Sequence, residues 1–117
     1  MADRLAELQD AVEAFVAERD WAQFHSPKNL AMSVAIEAAE IMEHFLWCSG
    51  EESRELTPEK RAEVANEIGD VLIYLLRLSR TLDIDPLVAA RDKLALNREK
   101  YPVEKAKGRA TKYVDLD

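Results

Sequence analysis

The chain has 117 residues, of which 48% are hydrophobic and 33% charged, and its formal net charge is −7. These values predict one globular domain over residues 1–117 with a modest core, and they argue against a nucleic-acid polymer as partner, because such binding usually needs a basic patch. The single cysteine, Cys48, excludes an internal disulfide framework, and the lack of a signal sequence or a long apolar run predicts a cytoplasmic protein with no membrane partner.

The first predicted helix runs from about Asp3 to about Arg19, because apolar residues recur there at three- and four-residue spacing. A short connector, Asp20 to Ser26, follows and contains Trp21 and His25. Aromatic side chains in a connector must pack on something.

Three later helices share one start signal, a capping residue followed by proline: Ser26-Pro27, Thr57-Pro58 and Asp85-Pro86. The capping side chain accepts hydrogen bonds from free amides, and the proline lacks an amide that would have no partner. The predicted helices run from about Pro27 to Trp47, from about Pro58 to Leu82 and from about Pro86 to Lys100.

The segments between and after these helices complete the predicted fold. Ser49 to Leu56 is predicted to be a long acidic loop, Pro102 ends the fourth helix, and Val103 to Asp117 is predicted to be an extended C-terminal tail. No strand pattern is visible. The sequence therefore predicts an all-α four-helix bundle, with the second and third helices at its centre because they are apolar on more than one face.

Two pairs of acidic residues lie within these central helices: Glu37 and Glu40 on the second, Glu67 and Asp70 on the third. Each pair is spaced i, i+3 and so occupies one stripe of its helix. Four carboxylates in apolar surroundings would repel one another and need a positive partner. Since all the donors are oxygens, the pattern favours a hard divalent cation, Mg²⁺ or its substitute Mn²⁺.

Other interpretations of these residues remain open at this point. The carboxylates could line a solvated groove or form ordinary surface pairs. A di-iron site is excluded because it needs Glu-x-x-His on its helices, and the third helix has no histidine. The aromatic and polar residues nearby could bind a nucleotide, or they could be core aromatics and a solvated helix face: Trp47, Tyr74, Lys93 and Asn97.

Much of the chain resembles the dCTP pyrophosphatases, a branch of the all-α MazG-like nucleoside triphosphate pyrophosphatase superfamily. Glu-x-x-Glu followed by Glu-x-x-Asp is typical of the superfamily, and Asp-Trp-x-Gln-Phe-His at residues 20–25 is more specific to the branch. Ala38-Ala39 departs from the pattern, since relatives often carry glycine there. The segments that carry the resemblance are Glu18–Leu30, Glu37–Trp47, Glu67–Tyr74, Lys93–Pro102 and Lys112-Tyr113.

The resemblance implies a function and a set of roles. The protein would hydrolyse a nucleoside triphosphate, dCTP or a modified dCTP, to the monophosphate and pyrophosphate, as a homodimer or homotetramer with sites at subunit contacts. Glu37, Glu40, Glu67 and Asp70 match the Mg²⁺ ligands at the catalytic centre. The remaining matches are Trp21, His25, Trp47 and Tyr74 for the base and sugar, and Lys93 and Asn97 for the triphosphate.

Two alternatives to a dCTP pyrophosphatase remain. The first is a broad or dUTP-type nucleotide pyrophosphatase on the same metal site, which a panel of substrates would separate. The second is a non-enzymatic helical interaction module whose acidic residues are solvated. That module predicts no stabilisation by Mg²⁺ and no release of pyrophosphate.

Overall fold

The computed structural model describes residues 3–117, and all the regular structure in them is helical. The all-α prediction is confirmed. Two single 3₁₀ turns lie in the connections, at Ala22–Phe24 and Glu52–Arg54, and a third, Tyr113–Asp115, follows the last helix. The helices are α1 (Arg4–Glu18), α2 (Pro27–Glu43), α3 (Pro58–Thr81), α4 (Pro86–Lys100) and α5 (Val103–Ala106).

The helix starts predicted from capping residues are present at α2, α3 and α4. The Ser26 hydroxyl accepts a hydrogen bond from the Asn29 amide at 3.1 Å, and the Asp85 carboxylate accepts one from the Leu87 amide at 2.9 Å. Thr57 caps α3 in the same way, and each helix carries proline in its first turn. These local interactions account for the agreement between predicted and observed starts.

α2 ends four residues earlier than predicted, at Glu43 rather than Trp47. The amides of His44 and Phe45 bond to carbonyls three residues back, at 3.2 and 2.9 Å, so the chain tightens into turns. A tightened last turn is a common way to satisfy the free carbonyls at a helix end. As a consequence, Trp47 does not continue the stripe that carries Glu37 and Glu40.

The chain forms two compact units, of which the first ends at Asp83. In this unit α3 packs against both α2 and α1, with the larger contact to α2. α3 is therefore central to the unit as expected, whereas α2 packs mainly against α3 alone. The buried apolar side chains of the unit come from all three helices: Val12, Val16, Leu30, Val64 and Leu76.

Much of the apolar surface of α2 and α3 remains exposed. Leu30 is the only fully buried residue of α2, whereas Met32 and Ile36 are 53% and 57% exposed. On α3, Ile68 and Leu72 are 54% and 40% exposed. Apolar side chains are therefore exposed on both α2 and α3.

The second unit, Ile84–Asp117, contains α4, α5 and the last 3₁₀ turn. The tail that the sequence predicts as extended therefore contains short helical segments. It folds back locally because the Tyr101 and Tyr113 rings meet edge to face at 5.9 Å and the Lys100 ammonium lies 4.7 Å from the Tyr113 ring centre. Along residues 3–117, every helix is too short or too polar to cross a membrane.

Candidate metal centre and adjoining cleft

The two acidic pairs come together where α2 packs on α3. One carboxylate oxygen from each of Glu37, Glu40, Glu67 and Asp70 lies within 4.8 Å of all the others. The three glutamates are half-buried and Asp70 is exposed. The i, i+3 spacing places each pair on one stripe of its helix, and the contact between the helices brings the two stripes together.

The carboxylates of this cluster destabilise one another's charged forms. Burial raises the pKa of Glu37 to about 6, aided by a hydrogen bond to Glu40 and by the negative charges around it. The pKa of Glu67 is also raised, first by its hydrogen bond to Glu40 and then by burial. One buried oxygen of Glu37 and one of Glu67, the Oε2 atom in each case, have no hydrogen-bond partner.

The nearby positive groups do not balance this charge. The His44 ring lies 3.8 Å from Glu67 and 3.5 Å from Glu63, and Lys60 pairs with Glu63 at 3.2 Å. Lys60 is thus engaged by a carboxylate outside the cluster. One histidine beside Glu67 cannot neutralise four carboxylates, so the cluster favours an additional cation.

A divalent cation fits the geometry and the donor set. Mg²⁺ and Ca²⁺ bind oxygen at roughly 2.0–2.6 Å, so two ligands on opposite sides of one ion lie about 4–5 Å apart. All separations within the cluster are at most 4.8 Å, so the four oxygens are close enough together to ligate one ion. An ion there would also provide a partner for the two buried oxygens that lack one.

A cleft of about 370 Å³ adjoins the cluster and lies between α1, the connector and α3. Asp70 belongs to both, so the cleft opens onto the carboxylates. Its wall is mainly apolar, with a few polar groups, which is typical of a small-molecule site. The aromatic and polar side chains that line it are Phe15, Trp21, His25, Asp70, Tyr74 and Arg77.

The connector folds back on α1 and so places its aromatic residues in the cleft. Asp20 has a positive φ of 54°, a conformation that aspartate tolerates, and the Trp21 amide then bonds to the Val16 carbonyl at 3.1 Å. The Trp21 ring meets Phe15 edge to face at 5.6 Å. The Trp21 ring therefore packs on α1, whereas Phe24 in the same connector is 61% exposed.

Arg77 is a residue of this cleft that the sequence interpretation missed. It is only 9% exposed and donates hydrogen bonds to His25 at 3.2 Å, to Glu13 at 3.3 Å and to Thr81 at 2.8 Å. The sequence contains one sign of its position. Arg77 follows Asp70 by seven residues, and residues at that spacing lie on one face of a helix.

The structure brings some of the predicted substrate residues together and leaves others apart. Trp21, His25 and Tyr74 line the cleft beside Asp70. Trp47 does not line it, lies outside α2 and is 92% exposed. The roles of all these residues remain predictions.

The two predicted phosphate ligands, Lys93 and Asn97, lie one turn apart on α4 in the second unit. Lys93 is exposed and Asn97 is half-buried. Their roles also remain predictions.

Comparisons with known proteins give consistent matches. A model of the MazG-like family matches residues 32–116, a range that contains all four carboxylates. The chain is 42% identical to dCTP pyrophosphatase 1 of Mus musculus and 39% identical to that of Homo sapiens, in each case over 104 residues that make up 87% of this chain. It spans 61% of the length of these relatives.

A solved structure with the same fold is that of a pyrophosphatase from Archaeoglobus fulgidus. It superposes with a TM-score of 0.83 and is 42% identical in sequence. The similarity covers 87% of this chain and 95% of that one.

Proposed function

The chain belongs to the MazG-like family, and we propose that it hydrolyses a nucleoside triphosphate to the monophosphate and pyrophosphate, with dCTP or a base-modified dCTP as substrate. The observation that carries this proposal is the cluster of four carboxylates at the mouth of an aromatic cleft, with Asp70 belonging to both. The names of the mouse and human relatives, dCTP pyrophosphatase 1, support the choice of substrate.

The cofactor we propose is Mg²⁺, with Mn²⁺ as a substitute, held by Glu37, Glu40, Glu67 and Asp70. When bound, such an ion would neutralise charge on phosphate oxygens and lower the pKa of a bound water. The all-oxygen donor set supports a hard cation. Glu40, whose carboxyl contacts both Glu37 and Glu67, is the residue we assign to orient the attacking water.

The base and sugar would occupy the cleft, with the phosphates toward the carboxylates. Trp21 and Tyr74 would contact the base through their rings, since aromatic walls bind flat heterocycles in many orientations. Lys93 and Asn97 would bind the triphosphate oxygens as donors.

The exposed apolar surface of α2 and α3 supports assembly into a homodimer or homotetramer. Side chains such as Ile36 and Ile68 are more than half exposed, and a second copy of the chain would cover them. The exposed Trp47 would then have a surface to pack against. The acidic charge of −7 supports a protein that binds no nucleic-acid polymer.

A substrate panel tests the function. The purified protein would be incubated with Mg²⁺ and dCTP, 5-methyl-dCTP, dUTP, dTTP, dATP and dGTP, and the products separated by anion-exchange chromatography. We expect dCMP and pyrophosphate, with no product in EDTA. Glu40→Gln should be inactive, whereas Glu43→Gln, an exposed change on the same helix, should retain activity.

The pattern of products separates the alternatives. Preference for dUTP would change the proposed substrate but not the proposed reaction. Similar rates with all bases would indicate a broad pyrophosphatase. Release of orthophosphate in place of pyrophosphate, or no reaction with any nucleotide, would overturn the proposal and favour a helical interaction module.

A further inference from the structure

Arg77 is the only buried charged residue within residues 3–117. Its Nε donates to the Nδ1 atom of His25 at 3.2 Å, and its Nη1 donates to Glu13 at 3.3 Å and to Thr81 at 2.8 Å. These partners come from α1, the connector and α3, so the guanidinium is held from three sides. A clamped arginine of this kind fixes the ring of His25 in one orientation.

The bond from Arg77 determines which nitrogen of His25 carries the proton. A guanidinium only donates, since it has no acceptor atom and stays protonated. The Nδ1 atom of His25 must therefore accept, which places the proton of the neutral ring on Nε2. Burial and the adjacent charge of Arg77 lower the pKa of His25, which keeps the ring neutral at pH 7, although Glu13 acts in the opposite direction.

The Nε2–H group of His25 has no hydrogen-bond partner among the described residues, and His25 lines the cleft. A half-buried donor beside an aromatic wall is suited to bind an acceptor on whatever occupies the cleft. Among pyrimidines, the ring atom N3 differs in this respect. It is an acceptor in cytosine, whereas in uracil and thymine it carries a hydrogen and donates.

We infer that Arg77 is a positioning residue for base selection, which holds His25 with its proton on Nε2 so that the cleft donates a hydrogen bond to N3 of cytosine. The inference rests on the proposed function, because it assigns the base to this cleft. A base with N3–H would place two donors face to face and leave both without an acceptor. Such a mismatch discriminates more strongly than the loss of an apolar contact.

Nuclear magnetic resonance of protein labelled with ¹⁵N-histidine tests, without any nucleotide, whether Arg77 holds the proton of His25 on Nε2. The chain has two histidines, so His25→Gln assigns both signals. We expect the proton of His25 on Nε2 in the wild type and in the control Arg80→Met, an exposed arginine one turn on that pairs with Asp10. In Arg77→Met the pKa of His25 should rise and an Nδ1–H population should appear.

Two outcomes of that experiment would overturn the inference. The first is a wild-type His25 with its proton on Nδ1 or on both nitrogens at pH 7. The second is a His25 whose tautomer and pKa are unchanged in Arg77→Met.

A kinetic double-mutant cycle tests whether His25 donates a hydrogen bond to N3 of cytosine. The substrates are dCTP and 3-deaza-dCTP, in which N3 is replaced by CH. The wild type should favour dCTP by about tenfold in kcat/KM, mainly through KM, since one hydrogen bond is involved. His25→Phe and Arg77→Met should each bring the ratio close to one, and the double variant should equal His25→Phe.

The cycle also distinguishes a positioning role from a structural one. If Arg77→Met slowed both substrates equally and left their ratio unchanged, Arg77 would serve the fold alone and the inference would fail while the proposed function stood. A wild type that hydrolyses neither compound nor any other triphosphate would overturn the proposed function, and base selection with it.

Discussion

Replacing Glu37 with glutamine should stabilise the metal-free protein at pH 8, although Glu37 is a proposed metal ligand. Its pKa in the fold is about 6, above the ordinary value of 4.5, so folding favours its neutral form. The associated penalty is fully present above pH 6, declines as the pH falls and disappears below pH 4.5. Glutamine has the same shape and no charge, so the variant avoids the penalty.

The size of the effect follows from the same values. A rise in pKa from 4.5 to about 6 corresponds to at most about 2 kcal/mol of unfolding free energy. Partial exposure of the carboxylate to solvent reduces this to about 1 kcal/mol. In a protein of 117 residues the midpoint of thermal unfolding should increase by about 3–6 °C.

Adding Mg²⁺ should make the wild type more stable than Glu37→Gln. An ion at about ten times its Kd adds about 1.4 kcal/mol to the wild type, and Glu37→Gln should gain less because it has lost a ligand. The assay is urea unfolding followed by circular dichroism, at pH 5 and pH 8, with EDTA and then with Mg²⁺. Glu43→Gln, outside the cluster, serves as the control and should change stability by less than about 0.5 kcal/mol.

Two results would refute this reasoning. A Glu37→Gln variant less stable than the wild type at pH 8 in EDTA would mean that the Glu37 carboxylate makes a net favourable interaction. A wild type whose unfolding midpoint is the same with and without Mg²⁺ would mean that the cluster does not bind this ion.

Three further predictions concern activity and the core. Glu40→Gln should lower kcat at least about a hundredfold with an unchanged helical circular-dichroism spectrum. Activity near that of the wild type would mean that Glu40 is not part of the catalytic metal centre. Trp21→Ala should raise KM for dCTP about tenfold with little change in kcat, measured in steady-state kinetics; a loss confined to kcat would argue against base binding. Leu76→Ala should cost about 2–5 kcal/mol in urea unfolding, because Leu76 is fully buried; a cost below about 1 kcal/mol would mean that its side chain does not contribute to the core.

The parts of the fold that depend on local interactions were predictable from the sequence. Ser26, Thr57 and Asp85 each begin a helix through bonds to amides two or three residues ahead. The early end of α2 was not predictable, because residues 44–47 continue the helical pattern and only the backbone bonds of the folded chain show the turn. The tail likewise contains a contact that the sequence pattern does not show, between the rings of Tyr101 and Tyr113.

The candidate site was also predictable only in part. The acidic pairs were visible as i, i+3 spacings on two apolar helices, and their convergence followed from the expected packing of those helices. The clamp around Arg77 was not visible, because Glu13 and His25 lie 64 and 52 residues away along the chain. A buried arginine can be recognised only once its partners are known, since its stem also suits an exposed helix face.

One stripe of α3 connects the two halves of the proposed site. Glu67, Asp70, Tyr74 and Arg77 follow one another at three- and four-residue spacing, which covers about 15 Å along the helix axis at 1.5 Å per residue. That distance is of the order of an extended nucleoside triphosphate. The Glu67 end meets the carboxylates of α2, and the Arg77 end meets Glu13 of α1.

This arrangement has a consequence for how the substrate would be oriented. Because both ends of the stripe belong to one continuous helix, the distance between the base cleft and the carboxylate cluster is set by the backbone of α3. The packing of α1 and α2 then determines only which groups face each end. On the proposed function, α3 is thus the element that aligns the base with the phosphates, because it carries Tyr74 and Arg77 at the base end and Glu67 and Asp70 at the phosphate end.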